Sequence, residues 1–161
     1  YEKGIAVNSL SKTYSIPGIR VGWVASNTEV ADILRDYRDY TMICAGVFDD
    51  MVATLVLENK EAILERNRQI VEENLALMDA WIVKEPKASW VRPASVSTSF
   101  VKLDVNRPIE DFALELLQDY GVLVVPGNRF DKESHVRIGY CCDKEVLQKG
   151  LEKLSQFLNK C

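Results

Sequence analysis

The stretch Ser9-Leu-Ser-Lys-Thr-Tyr-Ser-Ile-Pro-Gly-Ile-Arg-Val-Gly22 holds one lysine, one arginine and several hydroxyls between two apolar runs. The run before it, Ile5-Ala-Val7, reads as a buried strand ending at the polar Asn8-Ser9. The run that overlaps its end, Val21-Gly-Trp-Val-Ala25, reads as another. Pro17 and Gly18 punctuate the loop between them. This places Lys12 just beyond a strand's end, the edge at which α/β folds collect functional groups.

Outward from this segment, helices and strands alternate. Thr28 is placed to cap a helix with Val30, Ile33, Leu34 and Tyr37 on one face, and a second helix covers 49–58 after the break at Cys44-Ala-Gly46. The clearest helix runs from Lys60 to Lys84, where Leu64, Val71, Leu75, Met78 and Ile82 form a stripe suited to core packing, and Pro86 ends it. Strands follow near 89–92 and at 98–103. Pro108, Glu110 and Asp111 open a helix that Gly121 closes. Strands at 122–125 and 135–140 come next, and Asp143 caps a last helix bearing Leu147, Leu151, Leu154 and Leu158. The pattern is α/β, with a domain seam expected inside the long helix: 1–60 as one part and 61–161 as the other.

The composition excludes several classes. With 47% hydrophobic and 27% charged residues the chain is globular rather than disordered. Its net charge of −4 comes with scattered basic residues, so no stripe for a nucleic-acid backbone emerges. Apolar runs such as Gly121-Val-Leu-Val-Val125 are strand-sized, short of the roughly 20 residues that a membrane span needs. Cys44, Cys141, Cys142 and Cys161 form no C-x-x-C pair, and His135 is the only histidine. A zinc site is therefore not expected, and unpaired thiols suit a reducing cytoplasm.

The chemistry of the Ser9–Gly22 stretch is that of a site for a phosphorylated aldehyde. A lysine amine condenses with an aldehyde only when unprotonated, so its free pKa of about 10.4 has to be lowered by desolvation or a nearby cation. Buried strand ends would provide the desolvation. A phosphate needs an arginine fork and hydroxyl donors, which Arg20, Ser9 and Ser11 can supply.

The same stretch resembles the signature around the cofactor lysine of class I/II aminotransferases, which depend on pyridoxal 5′-phosphate (PLP), at every constrained position. The resemblance implies that Lys12 carries the cofactor as a Schiff base, that Ser9 and Arg20 hold its phosphate, and that Ser11 assists. A second match is Val136-Arg-Ile-Gly-Tyr140, similar to the family strand whose arginine grips the substrate α-carboxylate, which points to Arg137. Pro126-Gly-Asn-Arg-Phe130 resembles the family's Pro-Gly-x-x-Phe turn, with Asp131 where many members have glycine. Order and spacing agree over essentially the whole chain.

The resemblance implies the C-terminal fragment of a fold type I PLP enzyme: the end of the large-domain sheet, the interdomain helix and a small α/β domain. The start Tyr1-Glu-Lys-Gly-Ile5, without an initiator Met, fits that reading. The implied activity is transfer of an amino group from an amino acid to a 2-keto acid, in a cytoplasmic homodimer. Carbon–sulfur β-lyase or cyclising chemistry on the same fold is the alternative, and a folded but inactive fragment is the non-enzymatic one. The pattern Ser9-x-x-Lys12 also satisfies the S-x-x-K motif of serine acyl enzymes, but neither Ser-Asp-Asn nor Lys-Thr-Gly accompanies it. His135, Cys141 and Cys142 receive no role, the thiols being read as small buried hydrophobes.

Overall fold

The computed structural model describes residues 2–160. Tyr1 and Cys161, the latter one of the cysteines considered above, lie outside them. The chain divides into two compact units, Tyr1–Arg68 and Gln69–Cys161, and the division falls within one continuous helix.

In the first unit, β1 (Ala6–Ser9) and β2 (Gly22–Ala25) form an antiparallel ribbon in which Ala6 pairs with Ala25 and Ser9 with Gly22. Both strands are exposed along their length, which corrects the expectation of buried strands. Val7, for instance, is 74% exposed. Burial requires a second layer, and the described residues of this unit leave Val7, Trp23 and Val24 exposed.

Helices α1 (Thr28–Arg38) and α2 (Val47–Glu58) follow. Asn27, not Thr28, caps α1: its Oδ1 accepts from the Val30 amide at 2.9 Å while its Nδ2 donates to the Glu2 carbonyl. Asparagine is the better cap, and here the same side chain also ties the helix start to the chain ahead of β1. The face carrying Ile33, Leu34 and Tyr37 is exposed. The buried core of this unit is small: Leu10, Ala53 and Val56, flanked by half-buried Tyr14, Ile16, Ile19, Val21 and Ile63.

Helix α3 (Lys60–Lys84) spans its expected length. Beyond it come β3 (Ala88–Trp90), β4 (Thr98–Leu103), α4 (Ile109–Tyr120), β5 (Val125–Pro126), a 3-10 turn (Gly127–Phe130), β6 (His135–Gly139) and α5 (Lys144–Leu158). The second unit's sheet is antiparallel in the order β3-β4-β6-β5. Its core joins Leu75, Met78 and Trp81 of α3 to Val101 and Val136 of the sheet, Phe112 and Leu116 of α4, and the leucine stripe of α5.

Two short strands differ from expectation. Val122 is held by the end of α4: Gly121 adopts φ 66° and donates to Leu117, and the Val122 amide donates to Leu116. That left-handed cap uses the backbone that a longer β5 would need. Strand β3 stops at Trp90, and Arg92 instead ion-pairs through Nε with both carboxylate oxygens of Asp79, at 2.9 and 3.0 Å.

The stripe on α3 also has polar members that apolar periodicity does not report. Asn74 is buried, and its Nδ2 donates to the carbonyls of Tyr140 and Cys142 at 2.7 and 2.9 Å, tying the end of β6 to the helix. Trp81 donates from Nε1 to Ser155 Oγ at 2.8 Å, and that hydroxyl donates to the buried Glu85 carboxylate at 2.6 Å. Asn74→Ala would leave two carbonyls without this donor. It is expected to destabilise the unit by about 2 kcal/mol, read as a lower urea midpoint at unchanged slope.

Candidate active site

The loop from Leu10 to Val21 is held by its own hydrogen bonds and its own core. The Leu10 amide donates to the Val21 carbonyl and the Ile16 amide to the Leu10 carbonyl, each at 3.1 Å, closing the base. Inside, the Ser15 amide donates to Lys12, and Asn67 of α3 reaches the Thr13 carbonyl at 2.9 Å. Leu10 is fully buried, and Tyr14, Ile16 and Ile19 turn toward the same core. The polar residues are left outward: Ser9, Lys12 and Arg20 exposed, Ser11 half-buried.

Two backbone features shape this loop. Arg20 adopts a left-handed φ of 53°, a conformation that costs a non-glycine residue on the order of 1–2 kcal/mol. Its Nη1 donates to the Pro17 carbonyl at 2.8 Å, so the guanidinium is folded back onto the loop with further donors on its planar fork. At Gly22, a Cβ would stand 2.6 Å from the Asn8 carbonyl oxygen, so the ribbon can close behind Ser9 only with glycine there. The Ser11 amide donates to Ser9 Oγ at 3.4 Å, drawing both serines to one side of the turn.

Ser9, at the end of β1, thus adjoins the loop that carries Ser11, Lys12 and Arg20 in the first unit. An amine, a guanidinium and two hydroxyls are the donor set that a phosphorylated aldehyde calls for, and the residues present fit such a group. The expected desolvation of Lys12 is not supplied by the described residues: its side chain lies in solvent beside a ribbon that is itself exposed.

Arg137 belongs to the second unit. It sits on the interior strand β6, in register with Phe100 of β4 on one side and Val125 of β5 on the other. Alternation along β6 buries Val136 and Ile138 and exposes Arg137. Its guanidinium carbon lies over the ring of Phe130, 5.3 Å from the centroid, within cation–π reach. Phe130 ends the turn that begins at Gly127, where a Cβ would meet the carbonyl oxygens of Lys132 and His135 at 2.3 and 2.5 Å. Asp131 closes the turn in the left-handed region at φ 57°. The carboxylate of Glu110 braces it from α4, accepting from Asn128 at 2.8 Å and from Arg129, contacts that hold its pKa below the usual carboxylate value.

His135 stacks on Phe100 at 4.8 Å, and its buried Nδ1 has no partner among the described residues. Burial, then Lys102 and Lys132, push its pKa down, which favours the neutral ring as packing. Phe100 meets Phe130 edge to face at 5.8 Å. This His135–Phe100–Phe130–Arg137 row was not anticipated from the sequence. Cys141 and Cys142 are exposed, not buried as expected, because the chain leaves the sheet at Gly139. Among the described residues no His, Cys, Asp and Glu group could hold a metal, and no helix is long and apolar enough to cross a membrane.

The model of the family "Aminotransferase class I and II" matches residues 1–154. Capreomycidine synthase of Streptomyces vinaceus is 28% identical over 98% of this chain and 41% of its own length. The probable N-acetyl-LL-diaminopimelate aminotransferase of Bacillus subtilis (strain 168) is 27% identical over 99% of this chain and 41% of its own. Among solved structures, a PLP-dependent aminotransferase from Streptococcus suis 89-1591 superposes with a TM-score of 0.97 at 68% identity, covering 99% of this chain and 43% of that one. The chain therefore spans about two fifths of the length of these relatives.

The turn beneath Arg137 makes a direct demand on one residue. Gly127→Ala is expected to cost about 2 kcal/mol or more, because the two obstructing atoms are backbone carbonyls that cannot swing aside. The thermal unfolding midpoint should fall accordingly, whereas the same change at Gly150, where a Cβ meets nothing within 4 Å, should not lower it.

Proposed function

Since this chain belongs to the class I and II aminotransferases, we propose that it is the lysine-bearing part of a longer, PLP-dependent enzyme that transfers the amino group of an amino acid to a 2-keto acid. The observation that carries the reading is Lys12 exposed on a preformed loop with Ser9, Ser11 and Arg20, inside the matched residues. The domains proposed are 1–60, contributing to cofactor binding, and 61–161, carrying the interdomain helix and the substrate-carboxylate arginine. A homodimer is proposed from the resemblance, and a cytoplasmic setting is supported by the free, exposed Cys44, Cys141 and Cys142.

When bound, PLP supplies an aldehyde that condenses with amines and a ring that takes up the electron pair released at a substrate's Cα. The chain's own residues have the remaining tasks. Arg20 offers a guanidinium fork to the phosphate, and the hydroxyls of Ser9 and Ser11 add donors beside it. Lys12 contributes its Nζ twice, as the amine that anchors the aldehyde and as the base that moves the proton at Cα. Arg137 takes the α-carboxylate in its planar fork and so fixes which bond at Cα is presented for cleavage. The solvent exposure of Lys12 in this chain supports a site that other parts of the enzyme must close.

The similarity to capreomycidine synthase favours a second reading, a cyclising enzyme with the same lysine and cofactor. Products separate the two: amino-group exchange requires a 2-keto acid, whereas cyclisation proceeds without an acceptor. Release of pyruvate and ammonia without an acceptor would instead mark β-elimination.

Borohydride reduction of the PLP-loaded complete protein should leave a phosphopyridoxyl group on Lys12, found by peptide mass mapping. Lys12→Ala should abolish that adduct and lower turnover by on the order of a thousandfold. Full turnover in this variant would end the assignment. Arg137→Ala should raise KM for the amino acid roughly tenfold or more and leave the resting cofactor spectrum unchanged.

A further inference from the structure

Arg137 is fixed at its backbone by ladders on both sides, since Phe100 and Val125 face it in register. An arginine side chain has several rotatable bonds beyond that point, and recognition of a carboxylate by a planar fork depends on where the far end stands. In this structure the far end lies over Phe130, with the guanidinium carbon 5.3 Å from the ring centroid.

The ring is itself held. Phe100 meets it at 81° with centroids 5.8 Å apart, and Phe100 in turn stacks on His135 at 4.8 Å and 18°. The backbone of Phe130 closes a turn that only glycine at 127 permits, and the neighbouring Arg129 is tied to Glu110. The aromatic row therefore runs from one strand to the next and ends at the guanidinium.

We infer that Phe130 is a positioning residue for Arg137: its ring, braced by Phe100, holds the guanidinium so that the in-plane N–H donors are presented to a substrate carboxylate. A cation over a π face spends none of those donors on the contact, so the ring can orient the fork without competing for the ligand. The inference rests on the reading of Arg137 as the carboxylate receptor.

Two probes isolate the effect in the complete PLP-loaded protein. Aminooxyacetate carries a carboxylate and O-methylhydroxylamine lacks one, while both react with the cofactor aldehyde and change its absorbance. Phe130→Leu should weaken the response to aminooxyacetate about fivefold and leave that to O-methylhydroxylamine unchanged, with Phe130→Trp restoring the wild-type ratio. If Arg137→Ala lowers the ratio at least tenfold while Phe130→Leu leaves it intact, Arg137 binds the carboxylate unaided and the inference fails. If Arg137→Ala leaves the ratio unchanged, the reading of Arg137 itself fails, and the positioning role falls with it.

A second readout needs neither ligand nor activity. In the cofactor-free complete protein, the Arg137 Nε–H proton should carry an upfield ring-current shift that Phe130→Leu removes and Phe130→Trp retains. An identical resonance in wild type and Phe130→Leu would overturn the inference.

Discussion

Strict alternation along β6 is the constraint on which the placement of Arg137 depends. Val136 and Ile138 are needed in the core, so the residue between them must face the other way. Arg137 is outward because its neighbours are inward, and the same rule on β4 sends Phe100 to its side of the sheet while Ser99 and Val101 go to the core. One-residue slippage would exchange the two faces, burying the guanidinium and exposing Val136 and Ile138. The apolar core thereby fixes the face on which the guanidinium emerges.

The lysine loop follows a related logic without a sheet to impose it. Leu10, Tyr14, Ile16 and Ile19 are drawn to one small core, and the residues between them are turned outward. Left-handed backbone at Ser15 and Arg20 lets the loop double back within so short a stretch. Neither residue is glycine, so this curvature is held against a conformational cost by the bonds that Ser15 and Arg20 make to Lys12 and Pro17.

Much of this was legible in the sequence where the signal was periodic. The helix 60–84 and the strand 98–103 have the bounds that their patterns indicate, and Gly121 and Asp143 cap where their chemistry suggests. The grouping of Ser9, Ser11, Lys12 and Arg20 on one loop could be read because they are close in the chain. Other features were not legible. Burial of 5–7 and 21–25 depends on a covering layer, which a run of apolar letters does not specify. Asn74 was missed because its value lies in two carbonyls reached only after folding. The link from Phe100 to Phe130 joins distant segments, and alternation gives the face of Phe100 without naming its neighbour.

The two units differ in how much structure stands behind Lys12 and Arg137. Arg137 lies inside a four-stranded sheet whose core draws on three helices, so its strand amide is released to exchange with solvent only by an opening that disrupts much of that unit. Lys12 rests on a loop whose buried support is three side chains, and small openings suffice to loosen it. The chain thus has an uneven map of local stability. Hydrogen exchange is expected to be slower at Arg137, set in the larger core, than at Lys12, whose segment needs only a local opening.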